Sequence, residues 1–111
     1  MGITKAEALK AVDRERGPVC EASDRIWDQP ETAFQEFHST DVLCELLEKE
    51  GFRVERNLAG IATAFSGTYG SGKPVVGILG EFDALSGLSQ ESESLEKTAL
   101  VDGAPGHGCG H

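Results

Sequence analysis

Asp41-Val42-Leu43-Cys44-Glu45-Leu46-Leu47-Glu48-Lys49-Glu50-Gly51-Phe52-Arg53-Val54 carries the transition that decides the fold. Up to Lys49 the apolar residues Val42, Leu43, Leu46 and Leu47 recur at the period of a helix that buries one face. At Gly51, a natural C-terminal cap, the period changes to that of a strand, with Phe52 and Val54 on either side of Arg53. A helix from about Ser39 to Gly51, followed by a strand, is therefore expected. Ile61, Thr63 and Phe65 continue the alternation beyond Leu58-Ala59-Gly60, so this stretch reads as a hairpin. Gly70-Ser71-Gly72-Lys73-Pro74 makes the next turn. Val75-Val76-Gly77-Ile78-Leu79 is then apolar without alternation, as expected of a central strand covered on both faces.

Upstream, Thr4-x-x-Glu7 has the form of a capping box, and Ala8, Leu9 and Val12 follow on one helical face, which predicts a helix from about residue 4 to residue 15. Gly17-Pro18 punctuates it. Pro18 either opens a second helix running to about Asp28, with Ile26 and Trp27 packed inward, or interrupts one long helix, and the sequence leaves both open. Gln29-Pro30-Glu31 ends the pattern. The order helix, helix, then strands predicts an α/β fold with helices packed on a sheet. From Ser86 to Gly106 the chain is polar and acidic, with Glu91 to Leu100 the only candidate for a short helix, and loops of that length are usually functional or disordered.

The 111 residues fit one domain with a modest core. A formal net charge of −9 argues against nucleic acid or an anionic membrane as partner. No signal peptide is recognisable at Met1-Gly2-Ile3-Thr4 and no apolar run reaches the length of a membrane span, so a cytoplasmic location is the expectation. Cys20, Cys44 and Cys109 are an odd set without framework spacing and are expected as reduced thiols, with Cys20 and Cys44 acting as small buried apolar residues.

The chemistry concentrates in His107-Gly108-Cys109-Gly110-His111, where imidazole and thiolate ligands alternate with glycines that leave the backbone free to approach closely. A flexible glycine-rich segment, continued from Asp102-Gly103-Ala104-Pro105-Gly106, is the competing explanation. Two or three donors do not close a metal site, and the one other histidine is His38. Gly67-Thr68-Tyr69-Gly70-Ser71-Gly72-Lys73 meets the first seven positions of a phosphate-binding loop, but Pro74 stands where a magnesium-binding hydroxyl belongs and a strand is expected next, so a hairpin turn is the better reading. No nucleophile elbow is present. Glu81-Phe82-Asp83 directly follows the expected strand, at the end where open α/β sheets gather their active sites. Asp83 suits the support of a metal-bound histidine, as carboxylates commonly provide, although on the residues alone solvation of the strand end is the slightly better explanation of both carboxylates.

Gly77-Ile78-Leu79-Gly80-Glu81-Phe82-Asp83-Ala84-Leu85, followed by Gly106-His107-Gly108-Cys109-Gly110-His111, resembles the aminoacylase and carboxypeptidase-like metallo-amidohydrolase family. Within it the run Glu81 to Gln90 is similar to the B-subunit type of aminobenzoyl-glutamate hydrolase, with Phe82 in place of tyrosine and Ser86 in place of proline. Ile26-Trp27-Asp28-Gln29-Pro30-Glu31-Thr32-Ala33-Phe34-Gln35-Glu36 also resembles the family's first helix and following turn. The resemblance implies a two-metal site of manganese or zinc with Cys109 and His111 as ligands and Asp83 as a supporting catalytic residue. The substrates it implies are of the N-acyl amino acid or dipeptide-like type, aminobenzoyl-glutamate among them, and the chemistry is hydrolysis of an amide bond by metal-activated water. It further implies a homodimer for full-length relatives. The likeness covers only the first quarter or so of the family's usual length, so an N-terminal fragment of the catalytic domain, without the lid domain and inactive alone, is expected. A non-catalytic small α/β remnant or interaction module is the alternative, and a weak metal or thiol-redox protein using Cys109 stands behind both.

Overall fold

A computed structural model describes residues 2–110 and contains two helices followed by a two-stranded antiparallel sheet, so the expected α/β class holds. The first helix, α1, runs unbroken over Lys5–Asp28 with Pro18 inside it, which decides for one long helix over two. Its start is the predicted capping box, in which the Glu7 backbone N–H donates to Thr4 Oγ1 and the Thr4 N–H donates back to Glu7 Oε2 at 2.7 Å. The Thr4 N–H and the Thr4 hydroxyl, both donating to Glu7 Oε2, hold that carboxyl below the usual carboxylate range. The second helix, α2, spans Phe37–Lys49 and ends at Gly51, whose φ of 84° lies in the left-handed region.

The hairpin pairs β1, Arg53–Arg56, with β2, Phe65–Thr68, in the register Val54 opposite Gly67 and Arg56 opposite Phe65. Residues 57–64 close it with a short 3-10 turn at Leu58–Gly60, so the expected strand residues Ile61 and Thr63 belong to the connection instead. Thr63 is taken out of the ladder by its side chain, which is buried and donates to Glu36 Oε2 at 2.8 Å, while Thr40 Oγ1 donates to the Thr63 carbonyl at 2.9 Å. Gly67 lets the hairpin lie on α2, because a Cβ there would stand 2.9 Å from Leu47 Cδ1. Ser39, Val42 and Cys44 are the most fully buried side chains of α2, and Ala22 is buried on α1. Burial pushes the Cys44 thiol up, which leaves it an inert apolar residue as expected. Cys20 is exposed, against expectation, because it lies on the side of α1 away from Ala22.

Three further expectations are corrected. Val75, Val76, Ile78 and Leu79 form no strand and are 83%, 80%, 95% and 91% exposed. Their composition signals burial, but among the described residues no strand pairs with them, and an extended run without a ladder partner leaves its backbone to water. Glu91 to Leu100 forms no helix, because side chains take the backbone's bonds: Gln90 Nε2 donates to the Glu96 carbonyl, Gln90 Oε1 accepts from the Thr98 N–H, and Ser94 Oγ accepts from the Glu96 N–H. Leu9 and Val12, on the predicted inner face of α1, are exposed as well. The Cα radius of gyration is accordingly 16.4 Å, where a compact domain of this length has about 13 Å.

The most consequential bond set belongs to Glu31. Its carboxylate accepts the backbone N–H of His38 and of Ser39, both at 2.8 Å, and the Ser39 hydroxyl at 2.7 Å, so it caps α2 from seven residues upstream where the N-cap residue Glu36 provides no side-chain cap. Partial burial pushes the Glu31 carboxyl up, but the bonds from Ser39 and His38 outweigh it and set it below the ordinary value. The folded state therefore binds this proton less readily than the unfolded chain, and the stability Glu31 provides is present above the unfolded-state value, about 4.3, and lost as the pH falls through the lower folded-state value. We expect Glu31→Gln to lower the unfolding free energy by about 1–2 kcal/mol at neutral pH and to flatten its acid dependence, as measured by urea melts between pH 3 and 7. An unchanged pH profile would remove Glu31 from this role. We also expect the double substitution Ile78→Lys and Leu79→Lys to leave the melting temperature unchanged while reducing self-association in sedimentation velocity, since neither side chain is buried in the chain. A loss of several degrees would show that these residues pack.

Candidate functional site

Residues 81–85 are fixed from three sides. Phe82 packs on Phe65 of β2, with ring centroids 5.8 Å apart. The Ala84 N–H donates to the Glu31 carbonyl at 2.8 Å as part of a parallel bridge to Thr32. Leu85 and Gly106 exchange both backbone hydrogen bonds, each 3.1 Å, in an antiparallel bridge. Ala84 is fully buried at the centre of these contacts. The bridge brings together the two segments that carry the sequence's candidate residues, since Asp83 lies just before Leu85 and Cys109 just after Gly106.

Close approach of these segments depends on glycine. A Cβ at Gly106 would stand 2.3 Å from the Leu88 carbonyl oxygen and 2.6 Å from Ser89 Cα, and one at Gly108 would stand 2.9 Å from the same oxygen. The Gly108 N–H donates to that carbonyl at 3.3 Å, and the Ser89 N–H donates to the Ala104 carbonyl at 3.0 Å. The glycines of this stretch are thus a packing requirement as far as Gly108. A Cβ added at Gly110 would meet no neighbouring atom within 4 Å, so the spacer role of this glycine does not extend to packing.

Asp83 is half-buried, Glu81 is exposed, and Cys109 is exposed. His107 is half-buried beside Trp27 of α1, with ring centroids 6.2 Å apart. His111 lies outside the described residues. Among the described residues no three histidine, cysteine, aspartate or glutamate side chains converge as a metal-binding group. His38 serves elsewhere, at the first turn of α2, where its N–H bonds Glu31. The Gly67–Lys73 run is the end of β2 and an irregular turn with no helix after it, in keeping with its rejection as a phosphate loop.

Two residues with a shaping role escaped the sequence reading. Gln90 braces the loop above the bridge through the bonds to Glu96 and Thr98, and Glu31 fixes Ala84 through its carbonyl while its carboxylate caps α2. Neither has a local signal, because the partners lie six to eight residues away or across the fold. Between the end of α1 and this loop lies a cleft of about 160 Å³, bordered by Trp27 and His107. Among the described residues no helix is long and apolar enough to cross a membrane.

No family model matches the chain. Individual proteins do. The chain is 46% identical over 101 residues to the B-subunit of p-aminobenzoyl-glutamate hydrolase from Escherichia coli (strain K12), a match covering 91% of this chain and 21% of that protein. It is 33% and 32% identical over 89 residues to thermostable carboxypeptidases 1 and 2 of Saccharolobus solfataricus, each match covering 78% of this chain and 22% of the relative. Over most of its length the chain is therefore similar to hydrolases of the carboxypeptidase and aminoacylase-like kind. Its similarity to the aminobenzoyl-glutamate hydrolase protein takes in nearly its whole length, and it spans about a fifth of the length of the relatives it matches.

The glycine geometry orders three substitutions. We expect Gly106→Ala to cost about 1–3 kcal/mol, the usual range for overpacking, Gly108→Ala to cost less, and Gly110→Ala to be neutral, by thermal unfolding of the three variants. Equal effects at Gly106 and Gly110 would show that the tight approach to Leu88 does not exist in solution.

Proposed function

We propose that this chain contributes part of the site of a metal-dependent amidohydrolase that cleaves N-acyl amino acid substrates such as p-aminobenzoyl-glutamate, within a longer polypeptide or beside a complementing chain. The observation that carries this reading is the 46% identity with the aminobenzoyl-glutamate hydrolase protein across 91% of the chain. It is supported by the bridge of Leu85 to Gly106, which holds the Asp83 segment against the His107-Gly108-Cys109 segment.

In this reading Cys109 and His111 are donors to zinc or manganese and Asp83 is their supporting carboxylate. Thiolate and imidazole suit zinc well, and a carboxylate partner fixes the orientation of a ligand histidine. The described residues do not complete such a centre, since no three donors converge among them, so no catalytic step follows from them alone. What they provide is a rigid seat. The backbone on both sides of Asp83 is pinned, by Phe82 on Phe65 and by Ala84 on Glu31, and pinned ligands lose little freedom when a metal or substrate arrives.

Calorimetric titration of the reduced chain with zinc and with manganese, against the Cys109→Ala, His111→Ala double variant, tests the donor assignment. Stoichiometric binding at micromolar affinity that the variant loses is expected, together with no hydrolysis of p-aminobenzoyl-glutamate by the chain alone. Identical titrations would discard the two donors and favour a non-catalytic α/β module. Turnover by the isolated chain would discard the need for further residues.

A further inference from the structure

The cleft beside His107 has a composition that selects its occupant. It is lined by Trp27 and Pro30, from the end of α1 and the turn after it, by Leu100, Val101 and Pro105 of the loop, and by His107. Its volume of about 160 Å³ is well under the 300 Å³ or more typical of drug-sized ligands and suits a single substituted ring. Neither lysine nor arginine lines it, so it holds no permanent cation to pair with a carboxylate. At its border Ser89 Oγ accepts the Val101 N–H, and Gln90 spends its amide on Glu91, Glu96 and Thr98. Asp28 also borders the cleft, and its carboxylate makes no hydrogen bond or ion pair among the described residues. A largely apolar slot with an aromatic wall, a carboxylate at its border and neither lysine nor arginine fits a neutral aromatic ring bearing a donor substituent, and disfavours an anionic amino acid.

We propose that this cleft is the seat of the aromatic acyl group of the substrate, stacking an arylamine-bearing ring against Trp27 with Asp28 accepting from its amino group. The assignment rests on the amidohydrolase reading above, which it deepens by naming the acyl half as the part this chain grips. His107 borders the cleft and belongs to the same short segment as Cys109, so a ring seated there lies beside the segment that carries the candidate donor. The amino acid half then lies outside the cleft, where groups other than these would read it.

Trp27 is the one tryptophan of the chain, so its indole N–H resonance reports the cleft without ambiguity. The metal-free, nitrogen-15-labelled full chain is titrated with p-aminobenzoyl-glutamate and, separately, with N-acetyl-glutamate. A saturable shift of the indole signal with the first, at least tenfold weaker with the second, is expected. Leu100→Asp, which alters an exposed side chain on the loop wall, should weaken the response about tenfold while the remaining spectrum stays dispersed. Val101→Ser serves the same purpose should the first variant lose its fold. Equal responses to both probes, or none to p-aminobenzoyl-glutamate from a folded chain, would overturn the proposal. Because no metal is present, the outcome is separable from that of the metal titration: a chain that binds zinc but shows no indole shift refutes the seat alone, and the reverse result refutes the metal donors alone.

Discussion

One glutamate joins the parts of this structure that would otherwise be independent. The Glu31 carboxylate meets the exposed N–H groups at the start of α2, and the carbonyl of the same residue takes the N–H of Ala84. Helix α2 carries the hairpin, through Leu47 against Gly67, and the hairpin carries Phe82 through Phe65. The candidate segment is thus referenced to α2 twice, once through Glu31 and once through the sheet. A charged acceptor at a helix N-terminus gains from both the orphan donors and the helix dipole, which is why a half-buried carboxylate is tolerated there.

What was legible in the sequence was local. Thr4 and Glu7 announced the start of α1 because a capping box is complete within four residues, and Gly51 announced the end of α2 because only a left-handed residue makes that stop cheaply. The hairpin was legible in its first strand and misjudged in its second, where the buried bond from Thr63 to Glu36 turns an alternating pattern into a connection. Val75 to Leu79 shows the limit of composition. An apolar run states that burial is favourable and says nothing of which surface provides it, and among the described residues none does. Asp83, His107 and Cys109 were found by residue chemistry and motif, yet the fact that their segments meet rests on backbone bonds between Leu85 and Gly106, which carry no side-chain signal.

The glycines of His107-Gly108-Cys109-Gly110 were open to two explanations, flexibility or close approach, and the structure separates them by position. Gly106 and Gly108 sit against the Leu88 carbonyl with no space for a side chain, whereas Gly110 is unconstrained. A segment held in this manner is ordered before anything binds to it, and order of that kind comes from the absence of side chains as much as from contacts.

The loop above the bridge is closed at its neck, where the Glu91 N–H donates to the Thr98 carbonyl at 2.8 Å and Gln90 bonds across to Glu96 and Thr98. Everything beyond that neck is an excursion of the chain that returns to its starting point. Its length is therefore nearly free to drift: doubling such a loop costs only about 0.6 kcal/mol in closure entropy. Residues 92–97 form the natural place for insertions and deletions to accumulate, or for a fluorescent or affinity tag to be spliced, while the bridge of Leu85 to Gly106 below stays in register.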